Sequence, residues 1–188
     1  QPNDRILIGP GTYLESLVLP DHDVMLVSTA GPEVTMLDGG SNSLHPPSNP
    51  RHPSNGVLRV GPYAGHVEIQ GLTMQNGWSN EGGGLRVAGG MVTAKDCHFK
   101  RCNSTFGGGV CVLGGRAVLQ HCTLVDCGAT FGGGVAVIAG EIVLTKTSTE
   151  RCVAQATGGG AWCDNGGTLS ATGNTWKHCH ASQAGVLG

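Results

Sequence analysis

Apolar and polar residues alternate along short segments of the chain, and the same alternation returns about every 25 residues between Gly65 and Gly188. A period of two is that of a β-strand with one buried face. A first strand in each repeat carries an apolar pair at matched places: Val67/Ile69, Val92/Ala94, Ala117/Leu119, Ile142/Leu144 and Leu169/Ala171. Two further strands per repeat carry comparable pairs, such as Cys97/Phe99 and Val110/Val112. The pattern therefore predicts three short strands per repeat, arranged as a triangular coil, and no helix.

Glycines mark a fixed place in the repeat. Triple glycines occur at Gly82–Gly84, Gly107–Gly109 and Gly132–Gly134, and a fourth at Gly158–Gly160 comes one residue late. A fixed period of this length is typical of a solenoid, in which each repeat covers its neighbour. Glycine suits turns that need positive φ or a close approach of backbones. We predict an all-β, right-handed parallel β-helix of about seven coils, with about 25 residues per coil.

The chain is expected to form a single domain over residues 1–188. Residues 1–64 would form the N-terminal coils, and residues 65–188 the five repeats in register. Between them, residues 38–56 contain Pro46, Pro47, Pro50 and Pro53 among Ser, Asn and His. Proline supplies no N–H group to a strand ladder, so this segment is predicted to be an exposed loop.

Composition excludes several classes of function. The formal charge is −2 and only 13% of residues are charged, so the basic stripe of a nucleic-acid-binding protein is missing. No apolar run reaches the roughly 18 to 20 residues that a membrane-spanning helix needs. Because the chain begins at Gln1 without a signal-peptide pattern, we interpret it as a processed or excised piece.

Two stretches resemble known β-helix families. The segment ILIGPGTYLESLVLPDHDVMLVSTAGPEVTMLDGG resembles the first coils of the pectin-lyase-like superfamily. The unit Cys97-x-Phe99-x-x-Cys102, followed by Gly107–Gly109 and Val110, resembles the FxxN and GGA[ILV] repeats of polymorphic outer membrane proteins, with Cys in place of Asn and Gly in place of Ala. The resemblance implies a parallel β-helix and a surface or extracellular location.

Eight cysteines favour an oxidising compartment. Cys102, Cys127, Cys152 and Cys179 share one repeat position, and Cys97 and Cys122 share another. Stacked coils would place neighbouring Cα atoms about 4.8 Å apart, within the range for a disulfide. We expect the pairs Cys97–Cys122, Cys102–Cys127 and Cys152–Cys179. The register leaves Cys127–Cys152 and pairs within one coil, such as Cys97–Cys102, as alternatives.

Histidines lie beside some of these cysteines, at positions 98, 121, 178 and 180. Adjacent residues on a strand face opposite sides, so each histidine should point outward where its cysteine points inward. A shared tetrahedral zinc site is therefore disfavoured, and we expect solvated histidines and neither a metal nor a cofactor.

Enzymes with the resembled fold act on acidic polysaccharides, which makes an enzyme the alternative hypothesis. The Asn-Thr-Asp, Asp-Asp and Gly-His-Gly motifs of galacturonan hydrolases do not occur in this sequence. Asp21-His22-Asp23 is the densest ionisable cluster and could form an acid/base or cation site, although a solvated turn is the simpler interpretation. Trp78 and Trp162 could stack on sugar rings.

An outward apolar stripe favours a structural role instead. Its members are Cys111, Leu113, Val118, Ala136, Ile138 and Val143, and exposed stripes of this kind usually bind a partner. The sequence also ends on Val186-Leu187-Gly188 without a polar cap, so we expect further coils of a longer chain or stacked copies of this one. Asn103-Ser104-Thr105 is a glycosylation sequon.

These patterns favour a non-enzymatic extracellular or cell-surface module of a larger or fibrous assembly. The alternative is a polysaccharide lyase, hydrolase or esterase, or a polysaccharide-binding protein, with its site around Asp21–Asp23 and residues 38–56.

Overall fold

The computed structural model describes residues 4–40, 56–164 and 166–182, and every regular element among them is a β-strand. In chain order the first strands are β1 (Asp4–Ile8), β2 (Gly11–Leu14), β3 (Leu17–Val18), β4 (Val24–Ser28), β5 (Thr35–Asp38), β6 (Leu58–Val60), β7 (His66–Gln70), β8 (Thr73–Gln75), β9 (Trp78–Glu81), β10 (Leu85–Val87), β11 (Met91–Lys95), β12 (His98–Lys100) and β13 (Asn103–Phe106). They are followed by β14 (Val110–Val112), β15 (Arg116–Gln120), β16 (Thr123–Val125), β17 (Gly128–Phe131), β18 (Val135–Val137), β19 (Gly140–Thr145), β20 (Ser148–Glu150), β21 (Val153–Thr157), β22 (Ala161–Cys163), β23 (Gly167–Thr172), β24 (Thr175–Lys177) and β25 (His180–Ala181).

The strands form four parallel sheets that run along the molecule. Sheet A has the order β1-β4-β7-β11-β15-β19-β23, and sheet B has the order β2-β5-β8-β12-β16-β20-β24. Sheet C is β3-β6-β10-β14-β18-β22, and sheet D is β9-β13-β17-β21-β25. Neighbours in a sheet belong to successive turns of the chain. The fold is thus a parallel β-solenoid of about six turns, close to the predicted seven.

Equivalent residues of successive repeats stack directly. Leu85 pairs with Val110, and Val110 pairs with Val135, so each step is one 25-residue repeat. We call such a set of stacked residues a column. The inward columns make one continuous apolar core in which Met74, Phe99 and Leu124 are fully buried. The predicted strand alternation and repeat register are therefore confirmed.

A fourth sheet replaces the predicted three-sided coil. Sheet D is built from segments such as Asn103–Phe106, which are not among the three strands predicted for each repeat. Its inward column consists of Ser79, Ser104, Ala129, Ala154 and Ala181. Small side chains suit a place where the chain passes close to the core, and they give no apolar alternation from which a strand would be predicted.

The bend between sheets D and C depends on glycine. Gly107, the first residue of its triple glycine, has φ of 64°, and Gly82 and Gly132 repeat this conformation. A side chain in that region of φ is strained. The predicted need for positive φ at the triple glycines is confirmed.

Among the described residues, eight other than glycine also have positive φ, between 49° and 55°. They fall in two columns at the corners that flank sheet B. One column contains Asn76, Arg101, Asp126, Arg151 and His178, and the other contains Asp96, His121 and Lys146. Each of the two corners turns the chain so that the next residue, usually Cys or Thr, points into the core.

The predicted proline-rich loop lies mostly outside the described residues, since 41–55 are not described. Within the described ranges the chain has no helix of the length and apolar character that crossing a bilayer requires.

Candidate functional site

The cysteines of each repeat position stack on successive turns. The pairings of Lys100 with Val125, Val125 with Glu150, and Glu150 with Lys177 place Cys102, Cys127, Cys152 and Cys179 in one column. Cys97 and Cys122 lie in a second column, after Leu72 and before Thr147. All eight cysteines are free thiols in the structure, so the three expected disulfide pairs remain predictions.

Each thiol in these columns points at two backbone carbonyl groups. The Cys122 Sγ lies 3.4 Å from the carbonyl oxygen of Gln120 and 3.4 Å from that of Ala94 in the preceding turn. Thr147 donates from its hydroxyl to the equivalent oxygens of Thr145 and Leu119, both at 3.3 Å. The shared geometry shows that this position supplies a buried donor where the corner leaves carbonyl groups inside the core.

The same geometry disfavours disulfide formation. Because the cysteine side chains repeat one conformation, neighbouring Cβ atoms keep the spacing of the strands, about 4.8 Å, whereas disulfides usually need 3.5–4.5 Å. The hydrogen bond with Cys102, together with burial, raises the pKa of the Cys127 thiol well above its ordinary value. The Cys127 thiol therefore stays protonated at neutral pH and is a weak nucleophile. In the other column, the hydrogen bond with Cys122 lowers the pKa of the Cys97 thiol.

Substitutions at Cys122 test the donor role. We expect Cys122→Thr to be tolerated, since Thr147 already occupies this column with the same hydrogen bonds. Cys122→Val has nearly the same shape as threonine but no donor, so we expect it to be about 0.5–1.5 kcal/mol less stable than Cys122→Thr. Urea denaturation of both variants measures the difference, and equal stabilities would contradict the donor role.

The side chains of Asp21, His22 and Asp23, the alternative catalytic site, do not come together. His22 Nε2 lies 3.2 Å from the Asp4 carboxylate, whereas the Asp23 carboxylate accepts a hydrogen bond of 2.7 Å from the backbone N–H of His66. The Asp21 carboxylate lies beside Gly61 instead. Asp23 therefore supports the start of β7, which is a structural task.

His98 is the histidine whose surroundings differ most from expectation. It points outward from sheet B, but its side chain is only 17% exposed, and its Nδ1 lies 3.5 Å from the Glu33 carboxylate. The Nδ1 atom has no hydrogen-bond partner. Burial, followed by the nearby Lys100 ammonium, lowers the pKa of His98, and Glu33 opposes this effect. The predicted solvated histidine is thus replaced by a covered one.

This environment predicts a dependence of stability on pH. Because the pKa of His98 is lower in the folded protein than in the unfolded chain, the unfolded chain takes up its proton first as pH falls below about 6.5. Folding should lose stability there, and His98→Gln should reduce that loss. Thermal melting across this pH range measures it, with His121→Gln as the control because His121 is 56% exposed. An unchanged pH profile for His98→Gln would contradict the prediction.

Three aromatic rings stack on the outside of the bend between sheets D and C. The ring centroids of Phe106 and Phe131 lie 5.3 Å apart, and those of Phe131 and Trp162 lie 5.1 Å apart. Phe106 and Phe131 are the last residues of β13 and β17, and Trp162 is in β22. All three are partly exposed. We call these three residues the aromatic corner. The sequence contains a signal for the aromatic corner, because a phenylalanine directly precedes two of the triple glycines.

The aromatic corner covers part of the predicted apolar stripe. Cys111 and Ala136 point outward as predicted but are fully buried, because Trp162 follows them in their column and leans back to Phe131 and Phe106. Burial raises the pKa of the Cys111 thiol to about 12. The other four stripe residues are partly exposed: Leu113, Val118, Ile138 and Val143.

Polar groups border the aromatic corner on one side. Glu81 and Arg86 occupy the places equivalent to Phe106 and Cys111 one turn earlier, and the Arg86 Nε donates to the Glu81 carboxylate at 2.8 Å. Asn103, the sequon residue, lies on the outer side of β13 and is partly exposed. Trp78, the other tryptophan considered for sugar binding, stacks beneath Asn103, away from the aromatic corner.

Across residues 4–40, 56–164 and 166–182, no three side chains of His, Cys, Asp or Glu come together as metal ligands. A hydrogen bond from Arg151 lowers the pKa of the Asp126 carboxyl. Comparison of the chain with family models, with curated proteins and with solved structures finds no match.

Proposed function

We propose that this chain is a non-enzymatic structural module of an extracellular or cell-surface assembly. The observation that carries the proposal is the aromatic corner, a partly exposed apolar surface that extends over three turns of a rod. Aromatic side chains are enriched among the residues that dominate binding between proteins. Together with Leu113 and Ile138 beside it, the aromatic corner gives the rod an outer face suited to a partner.

The core supports a role in which stiffness matters. Each inner turn is hydrogen-bonded to the turns before and after it along its sheets, and most of its inward side chains are buried. Solenoid stability comes from contacts between neighbouring turns, so a run of such turns behaves as one elongated element.

An extracellular location is supported by Asn103. The asparagine is partly exposed and its sequon partner Thr105 lies in the same strand, β13. Intact-mass measurement of the naturally produced protein with and without reductant reports both a glycan and any disulfide. A fully reduced, unmodified protein from its native source would contradict this part of the proposal.

Self-association tests the structural role. Sedimentation velocity over a range of concentrations should show elongated oligomers. Phe131→Ser, which removes the central ring of the aromatic corner, should weaken binding along the outer face. The matched control is Thr93→Ser on the outer face of sheet A. A strictly monomeric wild type that binds no partner would overturn the proposal.

A second candidate, a polysaccharide-active or polysaccharide-binding protein, is supported by a cavity on the outer face of sheet A. It has a volume of about 200 Å³ and is lined by Arg5, Val24, Met25, His66 and Glu68. The Glu68 carboxylate is paired with Lys95 at 2.9 Å. Assays for reducing ends and unsaturated products on acidic polysaccharides would reveal such an activity, and its loss in Glu68→Gln would locate it there.

A further inference from the structure

We propose that two copies of this chain associate side by side and antiparallel, through the outer surface that surrounds the aromatic corner. The inference rests on the proposed structural role and names the partner that this surface binds. The surface consists of the aromatic corner, of Leu113 and Ile138 beside it, and of the charged residues Arg116 and Glu141 where sheet A begins. We call it the side face.

The side face lies along the middle of the rod rather than at either end. Its strands in sheet C, β14 and β18, lie between β10 and β22, and its strands in sheet A, β15 and β19, lie between β11 and β23. These strands therefore have described neighbours on both sides. The side chains of Leu113 and Ile138 are partly exposed because they point outward from the rod.

The aromatic corner forms a compact apolar cluster on the side face. The ring centroids of Phe106 and Trp162 lie 5.8 Å apart, and Phe131 is within 5.3 Å of both, so the three rings form a triangle. Rings that already pack on one another lose little conformational freedom when a partner binds. Contact between two such clusters removes apolar surface of both copies from water.

The residues of the side face are complementary to one another across one turn. They form three pairs: Phe106 with Phe131, Leu113 with Ile138, and Arg116 with Glu141. A two-fold axis that crosses the rod between the members of each pair places every residue opposite its pair mate in the second copy. Ring then meets ring, leucine meets isoleucine, and arginine meets glutamate, which is the pattern of an isologous contact. Repetition of the sequence accounts for the two apolar pairs but not for the change of sign between positions 116 and 141.

Charge also determines the direction of the second copy. The Arg116 Nε lies 3.4 Å from the Glu141 carboxylate of its own chain, and the two side chains are 48% and 38% exposed, which leaves room for a second partner. In the antiparallel pair, the ion pairs of the two copies form a group of four alternating charges. A parallel pair, with its two-fold axis along the rod, would place the rings of each copy against the charges of the other. Burying charges against apolar rings is unfavourable, so the antiparallel pair is favoured.

Charge reversal gives a test that only a contact between copies can pass. Arg116→Glu puts carboxylates at both 116 and 141, and Glu141→Arg puts guanidinium groups at both. Each variant alone should dimerise at least about tenfold more weakly than wild type, because like charges then face each other across the axis. In an equimolar mixture, the carboxylates of one variant lie opposite the guanidinium groups of the other, so dimers of about wild-type affinity should return. Repulsion within each chain persists in the mixture and cannot produce this recovery.

Arg151→Glu is the matched control. Arg151 pairs at 2.7 Å with Asp126 of the preceding turn, at the corner between sheets B and D and outside the side face. The control thus changes the net charge by the same amount as Arg116→Glu and also breaks an ion pair between turns, and it should leave dimerisation unchanged. Exposed ion pairs contribute little to stability, so all three variants should fold, and thermal melting verifies this.

Sedimentation velocity of the wild type, each variant and the mixture gives the decisive comparison. Variants of Arg116 and Glu141 that dimerise like the wild type, or a mixture that associates no better than its components, would overturn the antiparallel contact. A wild type that stays monomeric but binds another partner through Phe131 would also overturn it and leave the structural role standing. A wild type that stays monomeric and binds no partner would overturn both.

Discussion

Alanine at position 108 is expected to destabilise the folded protein by about 3–5 kcal/mol, at the upper end of single substitutions. Gly108 is the middle residue of its triple glycine, and an added Cβ would lie 2.5 Å from the carbonyl oxygen and 2.8 Å from the backbone nitrogen of Gly128 in the next turn. Backbone atoms cannot move away without separating the two turns. The substitution therefore acts on the stacking of turns rather than on a local preference for φ.

Gly31→Ala is the matched control for this effect. Gly31 has a positive φ of 91°, but an added Cβ would have no atom within 4 Å. The expected cost is the conformational strain alone, about 1–2 kcal/mol. Denaturant unfolding of both variants measures the difference. Equal losses would show that the turns are not packed as closely at Gly108 as the structure indicates.

Phe99→Ala is expected to cost about 3–5 kcal/mol, the usual range for removing a buried aromatic ring. Phe99 is the largest fully buried side chain in the described part of the chain, and it stacks between Met74 and Leu124 in the core. Its ring also fills the space beside Gly84, where an added Cβ would lie 2.8 Å from Cδ1. No neighbour in a hydrogen-bonded stack can collapse into the cavity, so the loss should be near the top of the range.

Two further variants separate burial from aromatic character. Phe99→Leu should cost less, about 1.5 kcal/mol, because leucine already serves at the equivalent position 124. Phe106→Ala removes a ring of the aromatic corner that is only partly buried and should also cost less than Phe99→Ala. A Phe106→Ala variant as unstable as Phe99→Ala would mean that the aromatic corner belongs to the core rather than to a contact surface.

The sequence was sufficient to predict the solenoid and its inward columns. Residues such as Val92, Ala117 and Ile142 recur at one spacing, and a period of two determines which face of the strand each occupies. Stacking of Cys102, Cys127 and Cys152 followed from the same spacing and is confirmed.

Sheet D and the burial of Cys111 could not be predicted in this way. The inward residues of sheet D are small, so its strands lack the contrast between apolar and polar positions on which the prediction depends. Burial of Cys111 and Ala136 depends on the bend at the triple glycines, which brings rings from two sheets together over them. An alternation rule applies to one strand at a time and contains no information about the angle between sheets.

The sequence pattern also gives no indication that charged corner residues have positive φ. Arg101 and Lys146 adopt a conformation in which glycine or asparagine is usual. Their neighbours in sequence explain it, because the following Cys102 and Thr147 must turn inward and donate to carbonyl groups. A side chain that stabilises the core thus outweighs the backbone strain of the residue before it.

Distances between spin labels along one outward column test the central claim, that successive repeats stack as turns of a rod. Arg5, Glu68 and Ser170 belong to the column that continues through Met25, Thr93, Val118 and Val143. Labels carried on unnatural amino acids leave the cysteines intact. With about 4.8 Å per turn, pulsed electron paramagnetic resonance should give about 19 Å between positions 68 and 170 and about 29 Å between positions 5 and 170. A separation between positions 5 and 170 no longer than that between 68 and 170 would contradict the stacked rod.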